Sequence, residues 1–164
     1  AVKVLDNRYS WERAHREAAE YYLTTQNYYE FCREISVLIN QYPFVKEYYS
    51  FGVEQLLFAK RFDDVYPFLV KGYKRYPQAL YAKWIGIIDL SKEKVDSAIF
   101  YLNESIKLSS SDAQVHFNLA GAYIKKKMFN EALNSINNCL AVNPNYPDAN
   151  RLKGQLGQIT KVNR

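Results

Sequence analysis

The feature that most constrains this chain is a return of residue types at a fixed interval. Tyr28, Phe31, Ile35, Ile39, Tyr42 and Pro43 come back 34 positions later as Phe62, Val65, Leu69, Tyr73, Tyr76 and Pro77. Tyr48, Phe51 and Gly52 return as Ala82, Ile85 and Gly86, and again as His116, Leu119 and Ala120. Val95, Ala98, Leu102, Ser105 and Leu108 return as Phe129, Ala132, Ile136, Cys139 and Val142. A period of this length implies one supersecondary unit copied along the chain.

The stretch Ala113 to Pro144 shows what the unit is. Leu119, Ala120 and Tyr123 share one helical face, and Phe129, Ala132, Leu133, Ile136, Cys139 and Leu140 recur at three- and four-residue steps. Lys125-Lys126-Lys127 between them is too short for anything but an antiparallel return. Pro144 ends the second helix. One such hairpin cannot bury its own apolar face and needs neighbours. The expected fold is therefore all-α: an α-α superhelix of four antiparallel helix pairs, about 11–43, 45–77, 79–111 and 113–146, with a capping helix at about 147–160, all in one domain spanning 1–164. Residues 1–9 show no clear period and read as a lead-in, with Ser10 capping the first helix. Asn27 with Glu30, and Ser111 with Gln114, are expected capping boxes. Pro67 predicts that its helix starts late, capped by Asp63 or Asp64, so that the proline falls in the first turn, with a kinked helix as the alternative. Leu152 and Leu156 give the last helix one apolar side against many polar residues, as a terminal cap requires.

The period and residue types resemble the tetratricopeptide repeat. The fourth hairpin carries the resemblance best, through Leu119, Ala120, Tyr123, Phe129, Ala132, Cys139 and Pro144; the third carries it through Ile85, Gly86, Val95 and Ala98. In the first two, Phe31 and Val65 stand where the family prefers Ala, and Leu38 stands where it wants a small residue. The small residues have a physical reason. Ala19, Gly52, Gly86 and Ala120 are expected where the two helices of a repeat meet. Ala98, Ala132, Ser105, Cys139 and Gly72 are expected where one repeat meets the next. A bulky group at such a contact overpacks it.

The resemblance implies non-catalytic binding, a scaffold or adaptor holding a peptide or helix in its concave groove. Positions on the first helix of each repeat that face the groove follow from the register. They are Arg13, Arg16 and Glu20; Lys46, Tyr49 and Val53; Leu80, Lys83 and Ile87; and Gln114, Phe117 and Gly121. Tyr49, Val53, Ile87 and Phe117 are expected to form an apolar strip flanked by Arg13, Arg16, Lys46 and Lys83, fitting an apolar partner with some acidic residues. Some members grip a C-terminal carboxylate with Lys and Asn one turn apart and Asn on the next repeat. Here Ile87 follows Lys83, although Asn118 stands in the next repeat, so a chaperone-tail receptor is not expected. The alternative function is the regulatory or substrate-presenting segment of a larger enzyme whose catalytic domain precedes Ala1. A chain opening on Ala is expected to be a piece of a longer protein, so its start says little about targeting; the cytoplasm is favoured. Assembly of copies through the apolar strip is a third reading.

The chemistry of an enzyme is not legible. His15 and His116 occupy positions where the family has an aromatic, and neither lies near metal-ligand spacing. Asp63-Asp64 reads as a helix cap, and Glu30, Asp96 and Glu131 suit helix first turns. Cys32 and Cys139 read as buried free thiols. No cofactor or metal is expected. A net charge of +5 does not demand nucleic acid. Lys125-Lys126-Lys127 reads as a solvated turn, and aromatics at 16% are explained by core positions. No apolar run reaches the ~18 residues of a membrane span.

Overall fold

The computed structural model describes residues 2–162. Among these, nine helices and no strands occur: α1 Val2–Thr24, α2 Tyr28–Gln41, α3 Lys46–Phe58, α4 Phe62–Arg75, α5 Ala79–Ser91, α6 Val95–Leu108, α7 Ala113–Lys125, α8 Phe129–Val142 and α9 Ala149–Val162. The expected four helix pairs and closing helix are present. The helices fall into two compact units, Ala1–Tyr76 and Pro77–Arg164, whose boundary coincides with a repeat boundary.

In unit 1, α1 begins at Val2, eight residues before the expected cap at Ser10. Nothing in this stretch breaks a helix, since Pro and Gly are absent from it. The Ser10 hydroxyl instead donates to the Asn7 carbonyl at 3.0 Å, a bond a serine makes inside a helix. Asn27 does cap α2, its Oδ1 accepting from the Glu30 N–H at 3.3 Å. Phe31, Ile35, Leu38 and Ile39 of α2 are buried. Phe31 is accommodated by Phe51 of α3, whose ring stands edge-on at 5.7 Å. A Cβ on Gly52 would come within 2.8 Å of Ile35 Cγ2. The close approach at Gly52 is thus to the second helix of the preceding repeat, not to its own partner α4 as the sequence suggested.

Helix α4 corrects another expectation. It starts at Phe62, with Arg61 as an N-cap lacking a side-chain bond, so Pro67 lies inside the helix rather than in its first turn. Asp64 does not cap; its carboxylate takes the Arg61 guanidinium at 2.6 Å. A proline here removes the N–H that would reach the Asp63 carbonyl. Burial of Val65, Phe68, Leu69 and Gly72 on the same helix offsets that loss.

In unit 2 the close approach falls where the sequence placed it. A Cβ on Gly86 of α5 would lie 2.7 Å from Leu102 Cγ and 3.1 Å from the Leu102 backbone nitrogen of α6. Leu102, Val115 and Leu119 form one buried cluster across α6 and α7, with Ile87, Ile99, Ile106 and Tyr123 packed against it. Ala120, Ala132, Ile136 and Leu156 form another, joined by Leu152, so α9 closes the stack with its expected apolar side. The cap of α7 is Asp112, not Ser111: Asp112 Oδ1 accepts from the Gln114 N–H at 2.9 Å and the Val115 N–H at 3.4 Å. A carboxylate at the N-cap also meets the positive end of the helix, which a serine hydroxyl does less well.

The return between the two helices of each repeat is closed by a residue in the left-handed region. Gln26, Lys60, Glu93 and Lys127 have φ of 55°, 56°, 60° and 59°. In the third repeat this turn is anchored from within. Asp89 is fully buried, and its Oδ2 accepts from Ser97 Oγ at 2.5 Å. In the fourth, Lys125 pairs with Glu93 at 2.8 Å and Lys126 pairs with Asp96, so two of the three lysines brace the preceding turn.

Candidate functional site

The helices α1 and α3 in unit 1, and α5 and α7 in unit 2, carry the positions expected to face a partner. In unit 1 the two expected apolar contacts are not on the surface. Tyr49 is 2% exposed and Val53 fully buried. The Tyr49 ring stands edge-on to Tyr76 at 5.6 Å, and its hydroxyl donates to the Pro43 carbonyl at 3.2 Å. Burial pushes its pKa up. The residue that ends α4 therefore covers what was expected to be open. The four expected cations also differ among themselves. Arg13 is engaged by Glu17 one turn on, at 2.7 Å, while Arg16 and Lys46 are exposed.

A cleft of about 390 Å³ opens on this unit. Glu12, Arg16 and Glu20 line it from α1, Leu38 from α2, and Val45, Glu47, Tyr48 and Phe51 from α3 and its cap. The Tyr48 hydroxyl donates to Glu12, which fixes the ring as part of the wall. Burial raises the Tyr48 pKa, and the neighbouring Glu12 raises it further, so the phenol stays protonated and keeps donating.

In unit 2, Lys83 is drawn inward and its ammonium binds Asp112 Oδ2 at 2.7 Å. Asp112 thus caps α7 and tethers α5 with its two oxygens. Burial pushes the Asp112 carboxyl up, but the Lys83 bond and the two backbone N–H groups outweigh it, leaving the pKa below the ordinary carboxylate range. Phe117 is half-buried against the Tyr146 ring, 5.0 Å away. Ile87 is half-buried beside the Leu102 cluster. Gly121 is half-buried too, and a Cβ there would meet only Leu90 Cδ2 at 3.9 Å. Leu80 is exposed, and beside it Lys83, Ser105, Ser109 and Asp112 help line a hollow of about 190 Å³. The Asn118 amide donates to the Gln114 carbonyl at 2.8 Å and Lys83 is held by Asp112, so both clamp-like groups are committed within the unit.

The histidines pack as the sequence suggested, one of them with a partner the sequence hid. His15 lies against Trp11, ring centroids 4.1 Å apart, and its Nδ1 meets the Glu34 carboxylate. Burial raises the Glu34 pKa, but the bonds from His15 and Arg33 bring it below its ordinary value. His116 is buried, with Nε2 3.2 Å from the Ser110 carbonyl. Both cysteines are free; Cys139 is buried and Cys32 only half so, its thiol pushed up to about 11, chiefly by burial. No group of three metal-ligating side chains occurs among the described residues, and none of their helices is long and apolar enough to cross a membrane.

Residues 89–156 match the family model of the tetratricopeptide repeat. Over that stretch the chain carries tetratricopeptide-repeat sequence. The fold agrees over most of its length with solved structures. A MamA structure superposes with a TM-score of 0.76 at 14% identity, covering 90% of this chain and 81% of the other. MamA from Desulfovibrio magneticus RS-1, residue 41 to the end, gives 0.72 at 13% identity over 92% and 85%. YrrB, described as a TPR protein with an unusual peptide-binding site, gives 0.69 at 13% identity over 87% and 74%. At such identities the likeness concerns fold alone. Among curated proteins no sequence matches. Within this repeat framework the sequence reading missed Asp112, Tyr76 and Tyr146. Each lies in a loop or at a cap, where the 34-residue register carries no information about side-chain reach; the one legible signal was an acid directly before a helical pattern at Asp112.

Proposed function

We propose that this chain is a non-catalytic protein-interaction module that holds a segment of another polypeptide, a peptide or helix, against α1 and α3 in unit 1 or against α5 and α7 in unit 2. Repeats of this family are interaction modules as a class, and the neighbours by fold are consistent with a scaffold role. The observation that carries the reading is the unit 1 cleft. It combines apolar floor residues with charged walls in a volume that side chains of a partner could fill. The proposed contact residues are Arg16, Lys46, Glu20 and Glu47 in unit 1. In unit 2 they are Leu80 with the open edges of Ile87, Phe117 and Gly121. Arg13 and Lys83 contribute by ordering their own helices, since each already has a carboxylate. Acidic residues of a partner would find Lys46, which is exposed and does not line the cleft. The same faces could serve another domain of the same polypeptide, including a catalytic one.

Photocrosslinking tests the reading. Benzoylphenylalanine in place of Arg16 or Leu80 should give adducts with bound polypeptide, whereas the same group in place of Tyr29 or Phe100, exposed on α2 and α6, should not. Adducts from Tyr29 and Phe100 alone would place the contact elsewhere and end the proposal.

A further inference from the structure

The unit 1 cleft has a charge that runs against an acidic partner. Of its charged lining residues, three are carboxylates, Glu12, Glu20 and Glu47, and one is a cation, Arg16. Glu12 is engaged by the Tyr48 hydroxyl. Glu20 and Glu47 are exposed, and neither carboxylate enters an ion pair or hydrogen bond among the described residues. Tyr48 and Phe51 add two aromatic rings to the lining, which attract a cation over their faces. Distant charges do not change the sign. At physiological salt the screening length is about 8 Å, so the overall charge of the chain counts for less than the side chains that touch the ligand.

We infer that this cleft takes a lysine or arginine side chain, so that the bound segment is basic and partly apolar where it crosses α1 and α3. The inference rests on the peptide-binding reading above and names its partner chemistry. A carboxylate entering the same space would meet Arg16 but also two unneutralised glutamates. An ammonium or guanidinium would meet both glutamates against the single like charge of Arg16, and lay its methylene stem on Leu38 and Val45.

The experiment is selection of a random dodecapeptide phage library on the full chain, followed by binding of the enriched peptides to variants. Enriched sequences should carry Lys or Arg next to apolar residues. Their affinity should fall by at least about tenfold in Glu20→Gln/Glu47→Gln, as expected for loss of charge-assisted contacts. It should rise or hold in Arg16→Gln and weaken with added salt. All three side chains are exposed, and melting curves of the variants should match that of the parent chain. Enrichment of acidic peptides that depend on Arg16 would overturn the basic-partner inference and leave the peptide-binding reading standing. So would peptides indifferent to both variants. A library that yields no enriched sequence overturns both.

Discussion

Replacing Gly86 is the sharpest probe of how the repeats are held together. A Cβ there would stand 2.7 Å from Leu102 Cγ, 3.0 Å from Cδ2 and 3.1 Å from the Leu102 backbone nitrogen. The first two distances can be relieved by rotating the leucine, but Leu102 is fully buried and has nowhere free to go. The third involves backbone, so α5 and α6 must separate by a few tenths of an ångström. Overpacking of this kind costs about 1–3 kcal/mol. Against it stands the gain of about 1 kcal/mol when glycine in a helix interior becomes alanine. Gly86→Ala is therefore expected to be net destabilising by up to about 2 kcal/mol, and Gly86→Leu by more. Gly154 supplies the control, because nothing lies within 4 Å of a Cβ placed there in α9. Gly154→Ala should show the helix-propensity gain alone and raise stability by about 0.5–1 kcal/mol. Urea unfolding of the three variants measures the difference. If Gly86→Ala is as stabilising as Gly154→Ala, α5 and α6 are not in the contact described and the small-residue reasoning is wrong.

Three further outcomes follow from the local geometry. Asp112→Ala should cost about 1 kcal/mol through loss of the α7 cap, while Ser111→Ala should leave the urea midpoint within error; the reverse order would return the cap to Ser111. Asp112 titrates below its unfolded value of about 3.9, so the unfolded chain binds the proton more tightly there and stability rises with pH through that range. Its contribution is complete above that value and is lost as pH falls through the lower, folded pKa. Lys83→Met should shrink the difference in urea midpoint between pH 7 and pH 3, by under about 1 kcal/mol because solvent screens a part-exposed pair; an unchanged difference would remove Lys83 as the cause. Pro67→Ala should raise the melting temperature, by about 1–2 kcal/mol of stability, since it restores the N–H facing the Asp63 carbonyl and removes the ring from the helix interior. A melt that is unchanged or lower would mean that the proline is accommodated without loss.

Periodicity carried the helix pairs, the stacking and the small-residue contact at Gly86 into plain view, because each depends on residues at fixed steps along one helix face. The errors lie where another rule competes. The start of α1 was misread because a serine that bonds back to its own helix looks, in sequence, like one that caps it. Pro67 was misplaced because the penalty of an interior proline was weighed without the burial that Val65, Phe68 and Leu69 bring to the same helix. The open apolar strip was half wrong for a different reason. Register tells which way Tyr49 and Val53 point, but not that Tyr76 turns back over Tyr49. Arg13 and Lys83 were expected to flank that strip; the carboxylates that occupy them, Glu17 and Asp112, are visible only once distances are known.

The left-handed residues between paired helices have a consequence for how such a chain can diversify. Gln26, Lys60, Glu93 and Lys127 hold equivalent backbone shapes with quite different side chains, none of which enters the apolar interior. What each turn demands is a backbone angle, and the chemistry hung on it is left to choice. The outer edge of each unit can thus exchange acid for base, or amide for either, without asking the helices beneath to rearrange.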